Sequence, residues 1–188
     1  MPKPWKPTRQ QLAAAEGKRV PDIITPGLKV LFCGINPGLY SGAVGHHFAR
    51  PGNRFWPALF AAGFTSRLLS PFEERELLDY GCGISNIVER ATASADLLTR
   101  EELMTGAHCL ERKVRRYEPA AVAFLGIGAY RIAFGRLQAN LGKQKERLAK
   151  ADIWILPNPS GLNAHYQLAE LARLFRRLRL AVQSLNES

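Results

Sequence analysis

Cysteine is scarce: Cys33, Cys82 and Cys109 are the only three in 188 residues. They lie far apart and form no C-x-x-C spacing, which excludes a disulfide framework and gives no structural zinc or iron-sulfur pattern. A reducing cytoplasm fits that usage. No apolar run approaches the ~20 residues needed to cross a bilayer, and no charged head leading into an apolar core opens the chain. A soluble, cytoplasmic protein without membrane contact is expected. Acidic residues are also few, 16 Asp and Glu against 26 Lys and Arg, for a formal charge of +10. That imbalance ranks a polyanion first among partners, with an unspecific basic surface as the plain alternative. A phosphate-cradling glycine loop is missing too. Gly126-Ile127-Gly128 lacks a third glycine and a ribose-binding acid, so close strand-helix packing is its better account. There is no internal repeat or low-complexity block, and the length suits one core.

What is present begins with a basic, proline-rich leader. Residues 1–22 carry Lys3, Lys6, Arg9, Lys18 and Arg19 among Pro2, Pro4, Pro7 and Pro21, and read as a flexible basic arm. Residues 23–188 read as a single domain. Within it Lys29 to Cys33 is an apolar run that stops at Gly34-Ile35-Asn36-Pro37-Gly38, the pattern of a strand buried on both faces and ended by a turn. Residues 39–52 look too rich in glycine and small residues for a regular element, and loops of that length are usually functional or disordered. A helix should begin near Asn53 or Arg54 and end at Gly63.

Ser70-Pro71-Phe72-Glu73 is a capping box that should open a helix ending at Gly81. Gly83 to Val88 alternates as a short strand. Thr99-Arg100-Glu101-Glu102 caps a helix that stops at Glu118-Pro119. Ala121 to Leu125 is a further buried strand, followed by a helix through Tyr130 and Phe134. Residues 135–150 read as a basic connection. The strand Ile153 to Leu156 then runs into Pro157-Asn158-Pro159-Ser160-Gly161-Leu162, and a final helix covers Tyr166 to Gln183 with Leu168, Leu171, Phe175 and Leu178 facing inward. The alternation predicts an α/β three-layer sandwich with a central, mainly parallel sheet flanked by helices.

Two strand-end turns, one at Asn36 and one at residues 157–162, should face one crevice, because ligands of open α/β sheets bind beyond the carboxyl ends of strands. An amide is no general base, but Asn36 can orient a water, or it can simply hold its own loop. Gly38 lets a ligand approach the backbone. Asp96 lies in a small-residue loop and is not needed as a helix cap, since Thr99 serves there; it is free to polarise water or to be a solvated turn former. Asn86, at a strand end, is a pocket amide or a structural one. His46 and His47 lack a Cys or acidic partner at ligand spacing, so water or phosphate is a better partner for them than a metal.

Gly34-Ile35-Asn36-Pro37-Gly38, with Phe48-Ala49-Arg50-Pro51, Asn53-Arg54-Phe55-Trp56 and Asn158-Pro159-Ser160-Gly161-Leu162, closely resembles the mismatch-specific uracil-DNA glycosylases. These form the thymine/uracil mismatch branch of the uracil-DNA glycosylase superfamily. The resemblance implies a uracil-DNA glycosylase-like fold and a monofunctional enzyme. It would hydrolyse the N-glycosidic bond of uracil in mismatched duplex DNA after base flipping, the first step of base excision repair, without metal or organic cofactor. A cytoplasmic, nucleoid-associated monomer is expected. A noncatalytic mismatch- or damage-binding protein on the same fold is the alternative.

By the same resemblance Asn36 places the water, Phe48 stacks on the extruded base, and the backbone at Ile35 and Gly38 meets its polar edge. Phe48 is otherwise a core aromatic. Leu162, hinged by Gly161, enters the stack as a wedge, and its other reading is core packing. Asn158 and Ser160 contact DNA, while Asn163 or His165 meets the widowed guanine, because Ala164 stands where some relatives carry Arg. A stronger uracil-excising pattern carries Asp at position 36 and Tyr at position 38. Their absence predicts slower chemistry and room for ethenocytosine and, weakly, thymine.

Overall fold

The computed structural model describes residues 5–185; residues 1–4 of the leader and 186–188 lie outside the described residues. Five strands form one sheet: β1 (Val30–Gly34), β2 (Cys82–Asn86), β3 (Ala121–Leu125), β4 (Gly142–Leu148) and β5 (Ala151–Leu156), in the order β2-β1-β3-β5-β4. The pairs β1·β2, β1·β3 and β3·β5 are parallel, and β4 joins β5 antiparallel. Every residue of β1, β2, β3 and β5 is buried, which is why β1, β3 and β5 read as near-continuous apolar runs, whereas β2, read as alternating, carries the buried Ser85 and Asn86.

Among the described residues six α-helices accompany the sheet: α1 (Arg9–Ala13), α2 (Leu39–Val44), α3 (Phe55–Ala62), α4 (Arg100–Tyr117), α5 (Ile127–Ala133) and α6 (Leu168–Leu185). One face of the sheet packs on α3 and α6 through Phe32, Phe55, Trp56, Leu59, Leu171, Phe175 and Leu178. The other packs on α4 and α5 through Leu31, Cys33, Leu103, Leu110, Phe124 and Tyr130. The expected three-layer α/β sandwich with a mainly parallel sheet is therefore what the chain forms.

Most element ends fall where their punctuation put them. Thr99 and Ser70 both close capping boxes, and Gly63 and Gly81 end their segments at φ +83° and +72°. Five expectations need correction. Residues 39–44 are helical, because Gly38 and Gly45 bound a short turn of helix and Gly42 lets it seat against neighbours: a Cβ there would meet the Ala91 Cβ at 2.8 Å. The Pro71–Tyr80 segment is a 3-10 helix rather than α. Residues 142–148 form the edge strand β4, not a connection. An edge strand needs no continuous apolar run, and Lys143 and Arg147 on it pair with the buried Asp152 at 2.8 and 3.0 Å.

The fourth correction concerns the leader. Residues 5–22 are docked rather than a mobile arm: Thr8 closes a capping box on α1, Ala15 is fully buried, and Val20 nearly so. Leu168, expected inside, is 39% exposed, so the apolar face of α6 starts at Leu171.

Phe32 anchors the aromatic layer, with Phe55, Phe64 and Phe175 ring centroids 5.3 to 5.8 Å away. Phe32→Ala is expected to cost about 3–5 kcal/mol, as for other large-to-small changes in a core. At this chain length that lowers the melting temperature by roughly 10 °C, measurable by thermal denaturation followed by circular dichroism.

Candidate active site

The carboxyl ends of β1, β2, β3 and β5 open onto a cleft of about 500 Å³ lined by residues from both predicted loops. Of the sequence-predicted residues, Ile35, Asn36, Gly38, Phe48, Asn86, Asp96, Asn158, Ser160 and Leu162 all line it. Gly161, Asn163 and His165 do not. Asn163 and His165 border an adjoining cavity with Asp96, Ile35 and Tyr166.

Asn36 follows β1 directly, and its amide orientation is decided by its partners. Its Nδ2 donates to the Arg90 carbonyl at 3.0 Å and to the Thr92 Oγ1 at 2.7 Å, while that hydroxyl donates to the Ser94 carbonyl at 2.8 Å. A carbonyl accepts only, so the nitrogen must face residues 90–92. No described side chain or backbone group donates to the Oδ1, which stays available as an acceptor. The loop that holds Asn36 is itself held: Thr92 N donates to the Pro37 carbonyl at 3.1 Å, and the Arg90 guanidinium pairs with Glu102. Hydrogen bonds from Arg90 and the Thr99 amide pull the Glu102 carboxyl down to about 2.

Phe48 forms a wall. Its backbone sits at φ +52°, a region that non-glycine residues enter at a cost of order 1–3 kcal/mol. The stack on Phe55, 4.1 Å between centroids, holds it there and leaves it half-buried. Asn86 closes the floor at 6% exposure. Gly34 permits both approaches, since a Cβ would meet the Asn86 Oδ1 at 2.5 Å and the Phe48 ring at 3.3 Å.

The histidines are not the solvent- or phosphate-facing pair expected. His46 pairs with Glu74 at 2.8 Å, and His47 is buried. The His47 Nε2 donates to the Pro21 carbonyl at 2.8 Å, so its Nδ1 is the acceptor facing the Asn86 Nδ2 at 3.4 Å. Among the described residues no group of three potential ligands could hold a metal ion. Cys33, at the end of β1, is no candidate nucleophile, because burial raises its thiol far above the ordinary range.

Leu162 stands on the opposite loop at 75% exposure, so the core-packing reading does not hold for it. The turn beneath it is rigid. Asn158 Oδ1 accepts from Ser160 N at 2.9 Å, and Asn163 Nδ2 donates to the Asn158 carbonyl at 3.0 Å. The Asn163 Oδ1 accepts from His165 N at 3.1 Å, so that amide is spent on its own loop. Gly161 abuts the Gly52 carbonyl, which a Cβ would approach to 2.6 Å. Asp96 is exposed on a 3-10 turn with the Ser94 hydroxyl 3.3 Å from its Oδ2.

Residue-by-residue reading missed Arg54, His47 and Arg50. Arg54 donates to the carbonyls of Ser160 and Asn163, each at 2.6 Å, and to that of Tyr166, clamping the loop that carries Leu162 to the start of α3. Its place in an Asn-Arg-Phe-Trp run was visible, but carbonyl acceptors leave no trace in side-chain identity. Arg50 is exposed on the cleft and makes no ion pair among the described residues.

Burial lowers the His47 pKa below its ordinary value, against the opposing influence of the Pro21 carbonyl, Glu74 and Asp22. The unfolded chain then binds a proton that the folded one refuses. The His47 contribution is fully present above the unfolded value near ~6.5 and is lost as pH falls from there through the depressed folded value. Urea midpoints should therefore drop as pH falls below about 6.5, and His47→Gln should flatten that part of the profile. An unchanged slope would contradict this placement of the proton.

Residues 21–180 match the Uracil DNA glycosylase superfamily. A solution NMR structure from Methanosarcina acetivorans, described as that of a candidate uracil DNA glycosylase, superposes with a TM-score of 0.58 at 17% identity, over 87% of this chain and 98% of that one. At that identity the likeness concerns the fold, and the fold is that of the matching family. No described helix is long and apolar enough to cross a membrane. With the match covering most of its length, the chain belongs to the uracil DNA glycosylase superfamily, whose members are DNA repair hydrolases.

Proposed function

We propose that this protein is a mismatch-directed, monofunctional uracil DNA glycosylase that works on bases extruded from the duplex. The observation that carries the reading is the anchored Asn36 amide with its acceptor oxygen on a cleft that an exposed Leu162 also lines. A water accepted at the Oδ1 is held for the sugar carbon once the base departs. Leu162 fills the stack as the nucleotide leaves it, and unstacking costs only a few kcal/mol, least at a mismatch. Phe48 offers the ring face that the extruded pyrimidine stacks on. Backbone donors toward the pyrimidine oxygens stabilise the departing anion. Arg50 meets a phosphate, and no cofactor takes part. The enzyme acts as a monomer in a reducing compartment, where its thiols stay free.

Asp96 borders the same cleft and is the second group proposed to act on the water or on the sugar cation. Gly38 supports a broad lesion range, because even a Cβ there would meet nothing within 4 Å and the space beside the base stays open. Ethenocytosine opposite guanine, and slowly thymine, are therefore substrates along with uracil.

Matched duplexes carrying U·G, U·A, T·G and ethenocytosine·G test the reading through alkali-labile sites and released base. Wild type should cleave U·G, and Asn36→Ala should slow single-turnover cleavage about a hundredfold or more while DNA binding persists. Binding to the mismatch with no base released by wild type would favour the noncatalytic alternative.

Gly38→Tyr should leave the backbone unstrained, since φ is −75° and a Cβ there meets nothing within 4 Å. It should retain uracil release but lose ethenocytosine and thymine release, by about tenfold or more. Parallel loss on all substrates would refute the argument from open space.

A further inference from the structure

The superfamily match starts at residue 21, but the cleft does not. Leu12 of α1 is one of its lining residues, half-buried beside the Asn36 turn and the Asp96 loop. The docked leader also touches the loop on which the Asn36 amide depends. Gly17 N donates to the Ala91 carbonyl at 2.9 Å, and Ala91 N donates to the Lys18 carbonyl at 2.8 Å. An antiparallel bridge joins Arg19 to Arg90. Ala91 thus sits between the two residues, Arg90 and Thr92, that accept from Asn36.

We propose that residues 5–20 are a working part of the site: Leu12 supplies apolar wall to the pocket that receives the extruded nucleotide, and the pairing at residues 17–19 fixes the loop that orients Asn36. The inference rests on the glycosylase reading above.

Packing leaves the segment little freedom to drift. Ala15 is fully buried, and Gly42 of α2 comes so close that a Cβ on it would meet the Ala91 Cβ at 2.8 Å and the Ala15 carbonyl at 3.3 Å. Leader, α2 and residue 91 therefore interlock. Ala15 N donates to the Leu12 carbonyl at 3.1 Å in the turn that ends α1, so seating Ala15 also places Leu12 at the cleft. Residues 17–19 act through Asn36 and are positioning residues, whereas Leu12 faces the substrate itself.

Full-length Ala15→Gln, which puts a longer polar group where there is no space, and Leu12→Ala, which only shortens the wall, test the proposal against wild type on a U·G duplex. At saturating enzyme, Ala15→Gln should cleave about tenfold or more slowly while DNA affinity measured by anisotropy stays within about threefold. Leu12→Ala should lose about tenfold in cleavage with an unchanged melting temperature. Wild-type rates in both variants, beside an active wild type, overturn the proposal and leave the glycosylase reading standing. Matching losses of affinity, melting temperature and rate in both would reduce the segment to general support and overturn it equally. An inactive wild type overturns the glycosylase reading and this inference with it. If Ala15→Gln does not fold, Leu12→Ala decides alone.

Discussion

The orientation of one amide governs this site. Asn36 has a donor end and an acceptor end, and only the acceptor can receive a water proton while the oxygen lone pairs of that water stay open to an electron-poor carbon. The Arg90 carbonyl and the Thr92 hydroxyl take both protons of the nitrogen, so rotation of the amide would lose two hydrogen bonds and set an oxygen against an oxygen. The rest of the cleft serves that arrangement. Pro37 and Thr92 tie the two loops together, and Glu102 on α4 holds the Arg90 side chain from the far side.

Close backbone approach is the second constraint. Gly34 brings Asn86 and Phe48 against the end of β1, and Gly161 brings the Leu162 loop against Gly52. Both contacts exclude even a methyl group. Phe48 carries an unfavourable backbone angle that its stack on Phe55 compensates, and Arg54 spends its guanidinium on main-chain carbonyls of the Leu162 loop. Bracing on each side of the cleft fixes Asn36 and Leu162 relative to one another, as the proposed mechanism requires.

The elements that were legible are those whose signal is local. Capping boxes at Ser70 and Thr99 and the glycines at 63 and 81 mark ends through bonds made within a few residues. Buried parallel strands announce themselves because both faces must be apolar or small. The elements misread depend on distant partners. α2 is a helix because Ala15 and Ala91 accept its small residues, and β4 is a strand because the antiparallel edge of β5 and the carboxylate of Asp152 wait for it. The leader looked solvated on composition, yet a few side chains sufficed once a small-residue surface received them.

By itself the sequence determined the layered α/β architecture and the two strand-end turns, since strand ends and turn chemistry are written in adjacent residues, whereas grouping Phe48 and Leu162 with Asn36 needed the family resemblance. Only the tertiary structure decided which way the Asn36 amide points, that His47 is a buried partner of Asn86, that Arg54 braces the Leu162 loop, and that Leu12 reaches the cleft. Those outcomes rest on backbone carbonyls and on contacts between residues far apart in the chain, and neither leaves a mark in the identity of any single side chain.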